Sequence, residues 1–314
     1  MKLSVLIPTW KRLEKCSKAI ESILNQEVLP DQVIVVCRDI DIESQKLIQS
    51  FQSRGPIELV IIDTPGVIAA ENKAISLATG DIICFLDDDA IAPPHWLKSI
   101  KQHFENSPQI TAIGGPDFIL HHHLNRDGNT YRQTVDQVGR VTWFGKIIGN
   151  HHQLTKDLIE VDILKGVNMA FRKEFVRPLD TVLQSEHHLG NGSHWELDLC
   201  FHVKKMGGRL FFDPKLDLVH DSNHTHFIHR DNFINNARNL TYVMIKHLSF
   251  PRIVVFFIYV LLIGNEQIYG LGKIVLQSFR NGMKSSLTNY LYSLIGLKNG
   301  IIASCRVNSH SKIV

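Results

Sequence analysis

Four short, largely apolar runs, Leu3 to Ile7, Val33 to Val36, Glu58 to Ile62 and Ile82 to Leu86, occupy the first ninety residues. Runs of this length bounded by Gly, Pro and Asp read as strands buried on both faces. The gaps between them carry helical spacing. Leu13, Cys16, Ile20, Ile23 and Leu24 fill the first gap, Glu43 to Phe51 the second, and the Ala-rich Ala69 to Ala78 the third. Alternating strands and helices with short connections predict an α/β chain, with a mostly parallel sheet and helices on both faces. No internal repeat interrupts the pattern.

The fourth run ends abruptly in Asp87-Asp88-Asp89. Ligands of open α/β sheets gather at the carboxyl ends of the strands. If the chain stays extended there, Asp87 and Asp89 face one side and Asp88 the other. Two oxygen ligands on one side suit a hard divalent cation, Mg²⁺ or Mn²⁺, an ion that usually arrives with a diphosphate. The competing reading is a solvated turn that caps the next helix. Pro8-Thr9-Trp10-Lys11 and Asp39 close the first two strands with polar groups at the same edge. The first strand is followed by neither a Gly-rich dinucleotide fingerprint nor a P-loop. A nucleotide here would be held by carboxylates and a cation instead of glycine amides.

The chain has 314 residues, 44% hydrophobic and 21% charged, enough for one large domain or a domain with an appendage. A net charge of +3 gives no argument for a nucleic-acid partner. From Arg252 onward, however, Glu266 is the sole acid and the tail is net +6, which points to contact with an anionic surface. The five cysteines are scattered and form no Cys-x-x-Cys, as expected of reduced thiols in the cytoplasm; Cys37 and Cys84 read as small core residues. The N-terminal apolar run is too short for a signal peptide and no cleavage site follows it.

The second half is less regular. Residues 117–160 are polar and His-rich, an insertion or acceptor-side loop. His121-His122-His123 and His151-His152 chelate poorly if extended, because neighbours face opposite ways, so they are expected in a solvated loop. Gly190-Asn191-Gly192 forms a flexible lead into a helix anchored by Leu199, Phe201 and Val203. Glu196 and Asp198 fall in its first turn, where the dipole favours negative charge. Leu218-Val219-His220 is an apolar run ending in a histidine, followed by His224, His226 and His229 as loop or phosphate-side groups. Asn232 to His247 is an amphipathic helix with Phe233, Ala237, Leu240, Val243 and Met244 on one side. Ile253 to Ile263 and Ile268 to Phe279 are apolar, interrupted by Gly264-Asn265-Glu266-Gln267, and each is shorter than the roughly 18–20 residues of a membrane span. A kinked span, an interfacial helix pair and a helix buried on the body compete; the aromatics and basic excess favour the interfacial pair.

In order and spacing these segments resemble an inverting glycosyltransferase of family 2, built on the GT-A fold. The matching residues are Ser4-Val5-Leu6-Ile7-Pro8-Thr9, Ser22-Ile23-Leu24-Asn25-Gln26, Val33 to Val36 with Asp39, Asn72-Lys73-Ala74, and Phe85-Leu86-Asp87-Asp88-Asp89. The resemblance implies that Pro8 and Thr9 border the nucleoside pocket and that Asp39 accepts from the base, with Asp41 as its possible replacement. Asn72 and Asp88 join the donor-nucleotide side. Asp87 contacts ribose or metal, Asp89 ligates the metal, and His220 is a third metal ligand or a diphosphate contact. Gly114-Gly115-Pro116 resembles a turn passing close to the donor sugar, and Gly166 to Arg172, with Asn168, a segment beside the acceptor. Aligning on Asp198-Leu199 puts Glu196 at the catalytic base, with Asp198 as the alternative, and puts Trp195 on the acceptor side, where an acid is common. Where the family often carries Arg before the Asn, this chain has Glu71. Ala237 to Tyr242 resembles a segment of bacterial surface-polysaccharide transferases. The resemblance runs from about Lys2 to His247.

By resemblance the chain is expected to be a metal-dependent, hexosyl-type transferase. It would move sugar from a nucleotide-diphosphate donor, a UDP-sugar being favoured, to a hydroxyl of a glycan or lipid-linked acceptor, with inversion, in cell-surface polysaccharide or glycolipid synthesis. The expected layout is a catalytic domain over 1–231, split into a donor half (1–116) and an acceptor half (117–231). A helical, basic, membrane-associated region over 232–314 follows. The expected location is the cytoplasmic face of the cell membrane, with a span at 253–279 left open. Two other classes stay in view: a nucleotidyltransferase, which would need a Gly-rich loop after the first strand, and a non-catalytic membrane-associated carbohydrate-binding protein.

Overall fold

The structure, a computed structural model, describes residues 1–119, 133–184, 192–221 and 230–310. Contacts divide the chain into two compact units: Met1–Arg140, Ile148–Leu179 and Leu199–His224 in the first, and Val141–Ile147, Asp180–Asp198 and Thr225–Val314 in the second.

The first unit opens as expected. Strands β1 (Leu3–Pro8), β2 (Gln32–Arg38), β3 (Ile57–Ile62) and β4 (Ile82–Leu86) alternate with helices α1 (Leu13–Leu24), α2 (Ile42–Phe51) and α3 (Val67–Leu77). Then come β5 (Ala90–Ile91), α4 (Trp96–Asn106), β6 (Ala112–Gly114), β7 (Asp117–Ile119), β8 (Arg140–Val141), β9 (Ile147–Ile148), β10 (Ile159–Val161) and β11 (Asn168–Arg172). Helix α5 (Trp195–Lys205), β12 (Leu210–Phe212) and β13 (Leu218–His220) follow. The main sheet runs β10-β12-β6-β11-β4-β1-β2-β3. β4, β1, β2 and β3 are parallel, while β11 lies antiparallel between β4 and β6, so the sheet is mixed. Val5, Ile7, Val33, Val35 and Cys84 sit in one cluster with Ile20 and Ile23 of α1 and Trp96 and Ile100 of α4.

A second sheet, β5-β13-β7, is what positions the site. Its central strand β13 pairs His220 with Ala90, directly after the acidic triplet, and with Ile119 on the other side. The close approach beneath it requires Gly114 and Gly115: a Cβ on Gly114 would lie 2.4 Å from the Asn168 carbonyl oxygen, and one on Gly115 would lie 2.2 Å from that of Leu216. His151 departs from the solvated loop expected for it. It is buried against Phe212, and its Nε2–H donates to the Ile163 carbonyl at 3.1 Å. Burial pushes its pKa down to about 4, so the ring is neutral. His121-His122-His123, Gly190-Asn191 and His224, His226 and His229 lie outside the described residues.

The second unit is mainly α6 (Arg230–His247), α7 (Phe250–Leu262), α8 (Leu271–Asn281) and α9 (Met283–His310). α6 is buried on more sides than an amphipathic helix, for Asn239 and Thr241 are inaccessible along with Leu240 and Val243. α9 meets it through small residues: a Cβ on Gly296 would fall 2.4 Å from Ala237 Cβ, and one on Gly300 would fall 2.6 Å from the Arg238 carbonyl. The 253–279 stretch is two helices joined by a turn in which Gly264 has φ +81° and the Asn265 side chain accepts from the backbone N–H groups of Gln267 and Ile268. Among the described residues no helix is long and apolar enough to cross a membrane.

Candidate active site

The acidic triplet does not stay extended. The chain turns at once, and the Ala90 N–H donates to the Asp87 carbonyl at 3.1 Å. The carboxylates nevertheless separate as alternation would have separated them. Asp88 swings back to β1, accepting from Thr9 Oγ1 at 2.7 Å and Arg12 Nη1 at 2.9 Å. Asp87 and Asp89 instead meet His220, and each of the three offers a ligand atom within 4.8 Å of the others.

His220 is itself held between two carboxylates. Its Nε2 lies 3.1 Å from Asp89 Oδ1 and its Nδ1 3.4 Å from Asp117 Oδ2. Asp117, fully buried, is ion-paired in turn with Lys165. A carboxylate behind a histidine fixes its tautomer and ring plane, a recurring arrangement where histidine ligates a metal. Neither Asp117 nor Lys165 was legible from the sequence as a site residue, since Asp117 sits 103 positions from His220 and no spacing links them.

Burial dominates the electrostatics, and charge partners decide its outcome. Burial pushes Asp87 up to about 6, with Asp89 and Asp88 adding to the rise and His220 and Lys165 opposing it. Burial also raises Asp88, against the pull of Arg12 and the Thr9 hydroxyl. For Asp89 burial is outweighed by the His220 hydrogen bond and charge, with Arg12 and Lys15, so it stays below the usual carboxylate range. Burial disfavours the His220 imidazolium, yet the bonds to Asp117 and Asp89 lift it to about 9. Glu71 on α3 is buried, with no partner for Oε2 among the described residues, and burial, then Asp87, holds its carboxyl well above the usual range.

The other expected donor-side residues fall into two groups. Pro8 ends β1 opposite Val36, and Thr9 continues the ladder through its N–H to the Val36 carbonyl at 2.8 Å. Asp39 follows β2 with its side chain 46% exposed beside Arg38. Asp41, its possible replacement, is buried and committed: it caps α2 at Ser44 and accepts from the Lys11 N–H at 2.7 Å, where Lys11 has φ +53°. Asn72 is also committed. Its amide donates to the Leu179 carbonyl at 2.9 Å and accepts from the Leu179 N–H at 2.6 Å. Asn168, expected beside the acceptor, is a buried hub that accepts from Trp96 Nε1 and donates to the Pro116 and Leu216 carbonyls.

In the second unit, Gly192 (φ +39°) and His194 (φ +69°) turn the chain into α5, which starts at the buried Trp195. Non-glycine residues are uncommon at such φ. Glu196 lies in the first turn, half-buried. Asp198 is buried between His247 Nε2 at 2.7 Å and Lys246 Nζ at 2.8 Å. Asn239 ties down the preceding segment by donating to the Leu183 and Ser193 carbonyls, and Arg238 donates to that of Val182.

A mixed α/β sheet with an Asp–His cluster at the carboxyl end of a parallel strand defines the GT-A class of fold. The glycosyl transferase family 2 model matches residues 4–178, more than half of the chain, and the chain belongs to that family. Among curated relatives, the glucosyl-dolichyl phosphate glucuronosyltransferase of Haloferax volcanii is 31% identical over 128 residues, 38% of this chain and 40% of the relative. The amylovoran biosynthesis glycosyltransferase AmsB of Erwinia amylovora is 28% identical over 214 residues, 65% of this chain and 64% of the relative. The chain thus spans less than two thirds of either relative. Among solved structures, the mannosyltransferase PcManGT of Pyrobaculum calidifontis, in complex with GDP-Man and Mn²⁺, superposes with a TM-score of 0.59. It is 16% identical, and the match covers 96% of this chain and 87% of that one. At that identity the likeness speaks to fold.

Proposed function

We propose that the chain transfers a sugar from a nucleotide-diphosphate donor to a hydroxyl acceptor, with inversion, in polysaccharide or glycolipid synthesis. The observation that carries this is the convergence of Asp87, Asp89 and His220 at the end of β4, within 4.8 Å of one another. Two carboxylate oxygens and, once Nε2 has given up its proton to make way for the cation, the His220 imidazole nitrogen form a donor set that fits Mg²⁺ or Mn²⁺. When bound, the ion supplies Lewis-acid stabilisation of the departing diphosphate. Family membership and the Mn²⁺ and GDP-Man of the mannosyltransferase structure support the same reading.

The chain's own groups then have distinct tasks. Pro8 and Thr9 border the nucleoside, Asp39 accepts from the base, and Asp88 ties the β1 end to the triplet. The anomeric C–O bond breaks with its electron pair passing to the diphosphate. The acceptor oxygen bonds to the opposite face of that carbon, and its proton goes to the Glu196 carboxylate. Between the two candidate bases Glu196 is favoured, because the Asp198 carboxylate is already engaged by His247 and Lys246 and acts as an anchor for the start of α5. Asn72 and Asn168 act through the backbones they hold.

The donor is taken as a UDP-sugar and the acceptor as a glycan or lipid-linked glycan. The exposed apolar residues of α7 to α9, among basic ones, support docking of 232–314 on the anionic cytoplasmic face of a membrane. The turn after β1 lacks the glycines a nucleotidyltransferase would need. Glu196→Gln is expected to keep donor binding and to lower transfer by about 10²–10⁴-fold, the usual weight of a general base. Transfer at the unaltered rate would reject Glu196. Failure of the unaltered chain to consume any nucleotide sugar would favour a carbohydrate-binding protein.

A further inference from the structure

The acid cluster has a cationic flank to which none of the roles above assigns a task. Arg12 precedes α1 and Lys15 lies in its first turn. Arg12 reaches Asp88 and Asp89 through a single nitrogen, Nη1, at 2.9 and 3.1 Å. Lys15 donates to the Asp221 carbonyl, with Nζ 3.7 Å from the Asp221 carboxylate and 4.0 Å from that of Asp89. Lys165 and His220 are both engaged by Asp117, so they are committed inside the cluster. Arg12 differs. Its side chain is 53% exposed, and among the described residues its Nε and Nη2 have no partner.

A guanidinium that serves only to neutralise buried carboxylates would be expected to turn its paired nitrogens toward them. Here one nitrogen is anchored to the acids that flank the candidate metal site, and the remaining donors are left open at its edge. A planar fork with two open donors matches two oxygens of a phosphoryl group. The carboxylates repel a free anion, so an anion entering beside them must come with a cation or meet one already fixed there. A diphosphate satisfies both conditions, since one phosphoryl group can face the metal position while the other meets the fork.

We propose that Arg12, supported by Lys15, binds the diphosphate of the donor and so distinguishes nucleoside diphosphates from monophosphates; this rests on the donor reading above. The test is calorimetric titration of the full chain in Mn²⁺ with UDP, GDP, CDP, ADP and dTDP and with their monophosphates. The nucleotide that binds is then titrated into Arg12→Ala, Arg12→Lys and Lys15→Met. Arg12→Ala is expected to weaken the diphosphate by roughly ten- to a hundredfold, the range for a lost charged hydrogen bond, and the monophosphate by less than about threefold. Arg12→Lys, which keeps the charge and loses the fork, should fall between, and it serves alone should the alanine variant not fold. Lys15→Met should shift the same ratio by a smaller factor. An unchanged ratio of diphosphate to monophosphate affinity in the Arg12 variants would overturn the proposal and leave Arg12 as an ion-pair partner. Absence of binding of every nucleoside diphosphate to the unaltered chain would overturn the donor reading, and this inference with it.

Discussion

Asp39 and Asp41 are two residues apart and have opposite fates. Asp41 is buried, caps α2 and holds Lys11 in a left-handed conformation, whereas Asp39 stays half-exposed at the strand end. Replacing Asp41 by Ala should therefore lower stability by about 2 kcal/mol, combining a lost cap with an unpaired Lys11 N–H. Asp39→Ala should stay within about 0.5 kcal/mol of the parent and weaken nucleotide binding instead. Denaturant midpoints and a nucleotide titration on the two variants separate the roles, and a larger stability loss in Asp39→Ala would reverse them. At this scale the sequence offered residue types and could not apportion them. Asp87, Asp89 and His220 were recognisable because each ends an apolar run, and the structure brings them together. Asp117 and Lys165 were not, because a buried carboxylate behind a histidine is defined by strand pairing that no local pattern encodes.

The first four strands and three helices were legible because period and punctuation agree there: apolar runs of strand length, helical spacing between them, and Gly or Pro at the joints. β11 falls in the segment that the resemblance placed beside the acceptor, and its antiparallel insertion beside β4 depends on partners far away in the chain. α9 lies in the region expected to be helical, but its buried face is not legible, for a different reason. Its buried side is mostly small, Ser286, Ser293, Gly296, Gly300, Ala303 and Ser304, with Leu297 as its large apolar member, while Met283, Leu287, Leu291 and Ile295 lie on the exposed side. Helical periodicity read from large apolar residues thus follows mainly the outer face of this helix. Its stability against α6 is a matter of close approach. Gly300→Leu, whose Cβ would lie 2.6 Å from both the Arg238 carbonyl and Thr241, should cost about 1–3 kcal/mol by overpacking. Ile301→Ala, on the exposed side, should change stability by less than about 0.5 kcal/mol. Equal thermal shifts in the two variants would contradict the packing seen.

For the whole chain, the pattern of exposed apolar residues makes a claim about surroundings. Phe250, Val254, Ile258 and Leu262 recur every four residues along α7, and Phe279 of α8 is 86% exposed. With the net +6 of the tail, this predicts that the full chain floats with phosphatidylglycerol-containing vesicles and not with neutral ones. The association should weaken as salt shortens the reach of charge to about 10 Å at 0.1 M. Phe279→Ser should reduce it, and equal recovery with neutral vesicles would point to a purely apolar contact. Another feature bears on how disturbance travels along the chain. The peptide N–H and carbonyl of Leu179 are both clasped by the Asn72 amide. Tension arising from Asp180 onward therefore meets a fixed point before it reaches β11 along the backbone, and the return of the chain through β12 and β13, which brings in His220, is held separately by strand pairing.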